Sequence, residues 1–365
     1  MSHLVKTTFL KKISKNYSKN KTPSNANLSN KQHVYTSFDD TLDKIVRLLK
    51  SHQSEFLSGE ELSRSLGISR AAVWKNIKKL KSLGYKIISK QKSGYRLISK
   101  TNLMLPWEIS DGLQTETIGR KIYYFNTIDS TQNFALKLAL KPHENGSIVI
   151  SEQQTRGRGR QNKKWASPKG GIWLSILLKP NFEISQASLF PMLTSLALAI
   201  SIEKVLRLRP KLKWPNDLTL DDKKVAGILV DASIESNQID YLVIGVGINF
   251  KIQPSAITRI VKNSKNFYGI TTLVGKKVKS DPVPLLQEFL HELEQLYNKL
   301  IAGNPHGIKS EWEKRSSTIG RKVKISSPNG EIKGKAVGID NDGALLILSK
   351  GRTQRLLVGD ISYQV

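Results

Sequence analysis

Cysteine is absent from all 365 residues. That excludes disulfides, thiolate zinc sites and a thiol nucleophile together, and it suits a reducing compartment. Acidic residues are scarce beside basic ones: 30 Asp and Glu stand against 58 Lys and Arg, a formal net charge of +28. An excess of that size points to a polyanionic partner, nucleic acid ahead of an anionic membrane surface. No apolar run reads as long enough to cross a bilayer, and no signal peptide with an apolar core and cleavage site is found, so the chain reads as cytoplasmic with no membrane partner. Its length exceeds what one core usually fills, so two or three domains are expected. No internal repeat appears.

Residues 1–38 are rich in Lys, Asn and Ser, free of acids and poor in large apolar residues. They read as a mobile basic tail; the lack of Arg and of an amphipathic repeat argues against a transit peptide. From Asp39 the period becomes helical, with Leu42, Ile45, Val46 and Leu49 on one face. Ser58 stands three residues before Glu61, the spacing of a capping box, so a second helix is expected from Gly59 to a stop at Gly67. Ser69 is a candidate N-cap for a third helix whose inward stripe is Val73, Ile77 and Leu80. Gly84 ends it, and "YKIISKQKSGYRLIS" reads as two strands around Ser93-Gly94. Three helices and a hairpin over 39–102 make a winged helix-turn-helix.

From Arg70 to Lys100 every charged residue is basic. Arg70, Lys75, Lys78 and Lys79 are the expected DNA contacts of the third helix, with the hairpin lysines near phosphates. A solvated face in a basic chain is the plain alternative.

After Pro106, strand candidates "KIYYFNT", "GSIVIS", "IWLSILLK", "KVAGILVDA" and "YLVIGVGINF" alternate with helices expected near 186–206 and 283–301. One central mixed core over 103–312 follows. The last residues, 313–365, carry short strands separated by "SPNG" and "DNDG", which suggests a small SH3-type β-barrel. The fold class is therefore α+β and multidomain.

Two stretches bear on chemistry. "TRGRGRQNKKW", 155–165, packs five cations and two glycines into eleven positions. Gly157 and Gly159 permit close backbone approach, while Arg158 and Arg160 carry planar donor forks suited to carboxylate or phosphate. Arg-Gly alternation also occurs in nucleic-acid-binding segments, so the stretch by itself is weak evidence. "KWPNDL", 213–218, sets Lys213, Trp214 and a Pro-fixed turn before Asn216 and Asp217.

With "DSTQNFA" (129–135), "GRGRQNKKW" (157–165), "KWPNDL" (213–218), "KVAGIL" (224–229) and "GVGIN" (245–249), the chain resembles the bifunctional biotin protein ligases that double as biotin operon repressors. The likeness extends to the winged helix before these motifs and to "GALLI...GDIS" behind them, covering nearly all of 40–365. It implies a biotin/lipoate ligase-type catalytic domain that uses ATP and Mg2+ to activate biotin as biotinyl-5'-adenylate. Biotin then passes to one lysine of a biotin carboxyl carrier protein. It also implies a homodimer when adenylate is bound, and operator DNA as a partner.

Residue by residue, the resemblance implies catalytic cations at Lys213, Arg158 and Arg160. It implies biotin contacts from Ser130, Thr131, Gln132, Gln154, Gly157, Gly159 and Gly227 together with those same three cations, Arg158, Arg160 and Lys213, and ATP contacts from Trp165, Asn216 and Asn249. Asp217 is either a turn residue or a magnesium-side carboxylate. Ser130-Thr131 also suit the cap of a helix beginning at Gln132, and Trp214 suits packing. The family pattern Gly-Arg-Gly-Arg, one variable residue, Gly-Arg is here broken at Gln161-Asn162-Lys163; Asn162 is expected to keep the left-handed turn, and Lys163 loses the bidentate fork. Two other classes stay open at this level: a DNA-binding regulator that senses biotin or its adenylate without ligase activity, and a lipoate ligase.

Overall fold

The computed structural model describes residues 34–36, 40–142, 144–180, 184–235, 238–253, 255, 257, 269–275, 278, 280–303, 307–327 and 330–363. Most of the basic tail, and Asn162's side chain, lie outside what is described. Residues 34–36 depart from the tail reading: β1 (Val34–Thr36) pairs antiparallel with β4 (Ile122–Phe125) at the edge of the central sheet. Tyr35 is buried there, its ring 6.0 Å from both Trp107 and Tyr124. A single aromatic in a polar segment supplies that apolar contact, which composition averages away.

The winged helix forms as its caps dictate. Helix α1 is Asp40–Ser51; α2 (Gly59–Leu66) carries the full capping box between Ser58 and Glu61 and ends on Gly67 in the left-handed region at φ 64°. Helix α3 (Arg70–Ser82) is capped by Ser69 and buries Val73, Ile77 and Leu80. The wing is β2 (Lys86–Lys90) with β3 (Gly94–Ser99). Gly94 sits at φ 107° where a Cβ would fall 2.0 Å from the Leu57 carbonyl oxygen, so no other residue fits this turn. One expected DNA contact faces elsewhere: Lys79 is half-buried with its ammonium 4.8 Å from the Tyr35 ring centroid, because β1 brings Tyr35 against that flank of α3.

The central sheet has eight strands in the order β1-β4-β5-β6-β10-β9-β8-β7: β5 Ile148–Ser151, β6 Ile172–Leu178, β7 Lys211–Lys213, β8 Asp217–Leu220, β9 Lys223–Glu235 and β10 Gln238–Ile248. The β4–β5 pair is parallel; the other pairs are antiparallel. One face of the sheet packs on α6 (Phe190–Leu206) and α7 (Val283–Ile301) through Ile172, Leu174, Ile176 and Leu178. The short helices α4 (Pro106–Ser110) and α5 (Thr131–Ala139) precede these, and α5 covers part of the other face through Ala135, Leu138 and Leu177. The segment Ala187–Leu206 does have the length and apolarity of a membrane span, contrary to the reading of the sequence. Its apolar surface is used inside the protein, where Phe190 through Ala199 are nearly all buried.

After α8 (Ile308–Arg315), strands β11 (Lys322–Ser327), β12 (Gly330–Ile339), β13 (Leu345–Ser349), β14 (Arg352–Leu356) and β15 (Asp360–Tyr363) form a five-stranded antiparallel sheet in the order β14-β13-β12-β11-β15.

A buried polar cluster fastens the winged helix to the core. Glu108 of α4 accepts from Tyr85 Oη at 2.5 Å and from Lys50 Nζ at 3.0 Å, and Trp107 Nε1 donates to the same Tyr85 oxygen at 2.7 Å. Lys50 also reaches Asp111 at 2.9 Å, which with Glu108 holds its ammonium above the usual lysine range despite burial. Replacing Glu108 by Ala leaves the Lys50 ammonium with Asp111 alone and removes the acceptor of the buried Tyr85 hydroxyl. Urea unfolding is expected to show a loss of about 2–3 kcal/mol for Glu108→Ala and about 1 kcal/mol for Tyr85→Phe. Equal losses would mean that the ion pair contributes nothing.

Candidate functional site

On β6 and β10 the period-2 alternation sends Ser175, Gly245 and Gly247 to the face on which the start of α5 sits, where Ser175 Oγ reaches Thr131 Oγ1 and Gln132 Oε1, each at 2.9 Å. Gly245 lies opposite Ser175 on β6, and Gly247 lies opposite Gly227 on β9, so the strands put almost no side chains of their own on this patch, and Gln132 and Trp165 lie directly over Gly245 and Gly247. A cavity of about 760 Å³ results, walled by Thr131, Gln132, Gln154, Arg158, Arg160, Lys213, Lys224 and Asn249. Ile361 of the C-terminal sheet completes the wall. The size suits a drug-sized or cofactor-sized molecule.

The segment 157–165 closes over this floor as a tight loop. Trp165 N–H donates to the Gly157 carbonyl at 2.9 Å, and Gly159 N–H donates to the Lys163 carbonyl at 2.7 Å. The left-handed backbone expected at Asn162 falls one residue earlier, at Gln161 with φ 53°. Trp165 swings its indole down onto the floor. A Cβ added to Gly247 would stand 2.4 Å from Trp165 Nε1, so glycine is required for this seat. Lys224 Nζ lies 4.9 Å from the indole centroid.

Arg158, Arg160, Lys163 and Lys224 each have an anionic or polar holder. Arg158 meets Asp231 at 3.1 Å and Asn133 Oδ1 at 3.2 Å. Asp231 also accepts from Gln132 Nε2 at 3.2 Å, while Gln132 donates to the Val243 carbonyl at 2.9 Å. Arg160 donates to Asn216 Oδ1 at 2.6 Å and to the Gly359 carbonyl at 3.3 Å. Lys163 pairs with Asp360 at 2.6 Å, so the second half of the loop is tied to the C-terminal sheet. Lys224 pairs with Asp217 at 2.6 Å. Lys213 is 5% exposed, with its ammonium 4.8 Å from the Tyr363 ring centroid. Burial pushes this ammonium down to about 8, with Lys224 and Arg321 adding to the fall and Asp217 opposing it.

The structure sorts the expected residues. Thr131, Gln132, Gln154, Arg158, Gly159, Arg160, Lys213, Gly227, Trp165, Asn216, Asp217 and Asn249 all line the one cavity. Gly157 and Ser130 stand behind its wall: Ser130 is fully buried and its hydroxyl caps α5 by accepting from Asn133 N at 3.3 Å. Thr131 N–H and Oγ1 both reach Gln154 Oε1, at 2.8 and 3.1 Å. Asn216 is spent on structure, since its amide also donates to the Ile228 carbonyl at 2.6 Å. Trp214 is buried, as its packing role requires.

Two buried polar atoms in the cavity have no hydrogen-bond partner, Trp165 Nε1 and Asn249 Oδ1. Such groups cost free energy unless a ligand answers them. Among the described residues, no group of three or more His, Asp or Glu could hold a metal ion. Asp217 is thus a lone carboxylate, suited only to a Mg2+ that arrives with phosphate ligands of its own.

Lys224, Asp231, Ser175 and Asp360 were given no role by the sequence. Lys224 opens the quoted "KVAGIL", and Ser175 interrupts an apolar strand, which is a usable signal. Asp231 and Asp360 carry none, because their importance lies in which distant cation they meet.

Residues 124–249 match the biotin/lipoate A/B protein ligase family, 41–96 match an HTH domain and 318–363 match the biotin protein ligase C terminal domain. The bifunctional ligase/repressor BirA of Bacillus subtilis is 32% identical over 87% of this chain and 97% of its own length. That of Escherichia coli is also 32% identical, over 87% of this chain and 96% of its own. The chain therefore belongs to the biotin protein ligase family, in its bifunctional ligase/repressor form. Among solved structures, a biotin protein ligase from Aquifex aeolicus in complex with biotin and ATP is 28% identical, with a TM-score of 0.55 over 67% of this chain and 98% of that one.

The seat of Trp165 gives a direct test of the loop. Gly247→Ala is expected to lift the indole and loosen 156–164, so that limited trypsin digestion cuts after Arg156, Arg158, Arg160, Lys163 or Lys164 faster than in the native protein. An unchanged digestion rate at those bonds would show that the loop does not depend on this contact.

Proposed function

We propose that the central domain activates biotin with ATP to biotinyl-5'-AMP and transfers the biotin to a lysine of the biotin carboxyl carrier protein of acetyl-CoA carboxylase. The observation that carries this reading is the coincidence, in one cavity, of six cations (Arg158, Arg160, Lys163, Lys164, Lys213 and Lys224) and two unanswered polar atoms, Trp165 Nε1 and Asn249 Oδ1. In the first step a biotin carboxylate oxygen attacks the α-phosphorus and pyrophosphate departs. Both reactants are anions, so the protein's main task is to hold them together.

Arg158, Lys213 and Lys224 are the cations for that task, and one well-aimed donor supplies about 3 kcal/mol of barrier lowering. Arg158 is poised by Asp231 and Asn133 rather than neutralised by a buried partner, as its pair with Asp231 is open to solvent on one side. Thr131, Gln132 and Gln154 are the polar contacts to the ureido head, with Ser175 and the glycine floor leaving room for the rings. Trp165 and Asn249 serve the adenine: Asn249 Oδ1 suits an exocyclic amine. Mg2+, when bound, supplies charge neutralisation at the phosphates, with Asp217 as its protein ligand. In the second step the carrier lysine amine attacks the acyl carbon and AMP leaves.

The winged helix binds operator DNA and represses biotin synthesis genes; the acid-free stretch 70–100 and the HTH match support this part. Adenylate binding drives homodimerisation, which sets two winged helices on an inverted repeat. The cytoplasm, where carrier and DNA meet, is the site of action.

The test follows label from biotin onto a carboxyl carrier domain with ATP and magnesium. Arg158→Ala and Lys213→Ala are each expected to lower transfer at least a hundredfold. Biotin binding without any transfer by the native protein would favour a regulator that only senses biotin. Lys213 gives a second check through pH. Its charged form prevails below about 8 in the free protein, so kcat/KM should fall as pH rises through that value, while bound anions move the same limb of kcat upward. Lys213→Arg should abolish the alkaline limb, since a guanidinium stays charged.

A further inference from the structure

Trp74 is the large side chain that the ligase chemistry leaves unused. It is 59% exposed on α3, whereas Trp107, Trp173, Trp214 and Trp312 are buried. The exposed residues of α3 are Arg70, Ala71, Trp74, Lys75, Lys78, Lys81 and Ser82. Arg70, Trp74 and Lys78 follow one another at four-residue spacing, a single ridge along the helix, and Lys78 Nζ lies 5.4 Å from the indole centroid. Behind the helix the wing keeps its cations in order: Arg96 lies 4.7 Å and Lys90 6.0 Å from the Phe56 ring centroid. An apolar plate set among cations, in a stretch with no acid at all, has the complement of an anionic surface that also offers an apolar spot.

We propose that Trp74 is a base-reading residue that selects thymine in the major groove of duplex DNA. This rests on the DNA-binding reading of the domain. The chemistry of the indole makes the choice: it has a broad apolar face, one N–H donor and no acceptor. Of the four base edges in the major groove, only thymine sets an acceptor, O4, beside a methyl group. Adenine and cytosine present amino donors that an indole cannot answer, and guanine presents two acceptors without a methyl. Guanine suits Arg70 instead, one turn earlier at the first position of the helix, where a guanidinium fork meets O6 and N7. Lys75, the next residue, and Lys78, one turn on, supply the phosphate contacts that fix the ridge in register. Burying the thymine methyl against the indole removes about one methyl-sized patch from water, which is worth about 0.8 kcal/mol or about fourfold in affinity.

The full chain, with biotin, ATP and magnesium, is used to select binders from random duplexes of about 40 base pairs, long enough for two half-sites a turn or more apart. Each thymine of a selected duplex is then replaced singly by deoxyuridine, which removes only the methyl group. At one thymine position per half-site, the native protein and Trp74→Phe are expected to lose about fourfold in affinity. Trp74→Ala should bind the thymine and deoxyuridine duplexes equally while keeping its helix content and the native salt dependence. If deoxyuridine costs the same in the native protein and in Trp74→Ala at every position, Trp74 does not read thymine, though the steep salt dependence still marks DNA binding. If no duplex is retained even at low salt, the DNA-binding reading itself falls, and Trp74 with it.

Discussion

Like charge crowded into a half-buried cavity is the constraint from which the rest of this structure follows. Arg158, Arg160, Lys213 and Lys224 line one pocket, and in a medium less polar than water their mutual repulsion is large. Three carboxylates from separate segments hold them apart in fixed directions: Asp231 on β9, Asp217 at the start of β8 and Asp360 at the start of β15. The balance is incomplete at Lys213, whose ammonium is brought down to about 8 mainly by loss of solvent. An anion entering the cavity answers a demand that the fold has created, and the tightness of that demand depends on how firmly the carboxylates hold their partners.

That dependence draws the C-terminal sheet into the site. The loop that carries Arg158 and Arg160 is closed at its base by Trp165, which sits on the glycine floor and donates to the Gly157 carbonyl, and is held between those ends by Asp360 and the Gly359 carbonyl. Trp214 Nε1 donates to the Gly343 carbonyl at 3.0 Å, so the turn between β12 and β13 sits against the "KWPND" segment. The Lys163–Asp360 pair is more than half exposed on the lysine side, and salt and solvent weaken it. Lys163 holds this position through a single ammonium, without the fork that an arginine would bring, so the loop is more firmly set at Arg158 than at its tip.

Much of this was legible in the sequence, because local rules governed it. The capping box at Ser58 and Glu61, the stop at Gly67, the strands around Ser93-Gly94 and the helix from Val283 to Ile301 each depend on residues within one or two turns. The cavity residues were legible through motif likeness, and the alternation along β10 accounts for why Gly245 and Gly247 belong to it. What the sequence concealed was long-range pairing. Nothing local distinguishes Asp231 from any other strand-end acid, or Lys79 from Lys78, yet one holds Arg158 and the other turns toward Tyr35. The strand at Val34–Thr36 was hidden for the same reason: its partner, β4, lies almost ninety residues away.

The two activities share one body through α3. Its outer ridge is free for a partner, while its inner flank carries Lys79 against Tyr35, which packs on Trp107 and Tyr124 of the catalytic core. Tyr124 in turn donates to Glu152 at 3.2 Å, a carboxyl that burial raises above the usual range, two residues before the pocket residue Gln154. The recognition ridge is therefore not on a flexible tether: its direction is fixed by aromatic contacts and by the Lys50–Glu108–Tyr85 cluster to the same sheet edge that begins the pocket. In a symmetric pair of chains, half-site spacing depends on where each ridge points. If two chains pair symmetrically, a winged helix fastened in this way carries the geometry of their contact directly to the outer ridges of the two α3 helices.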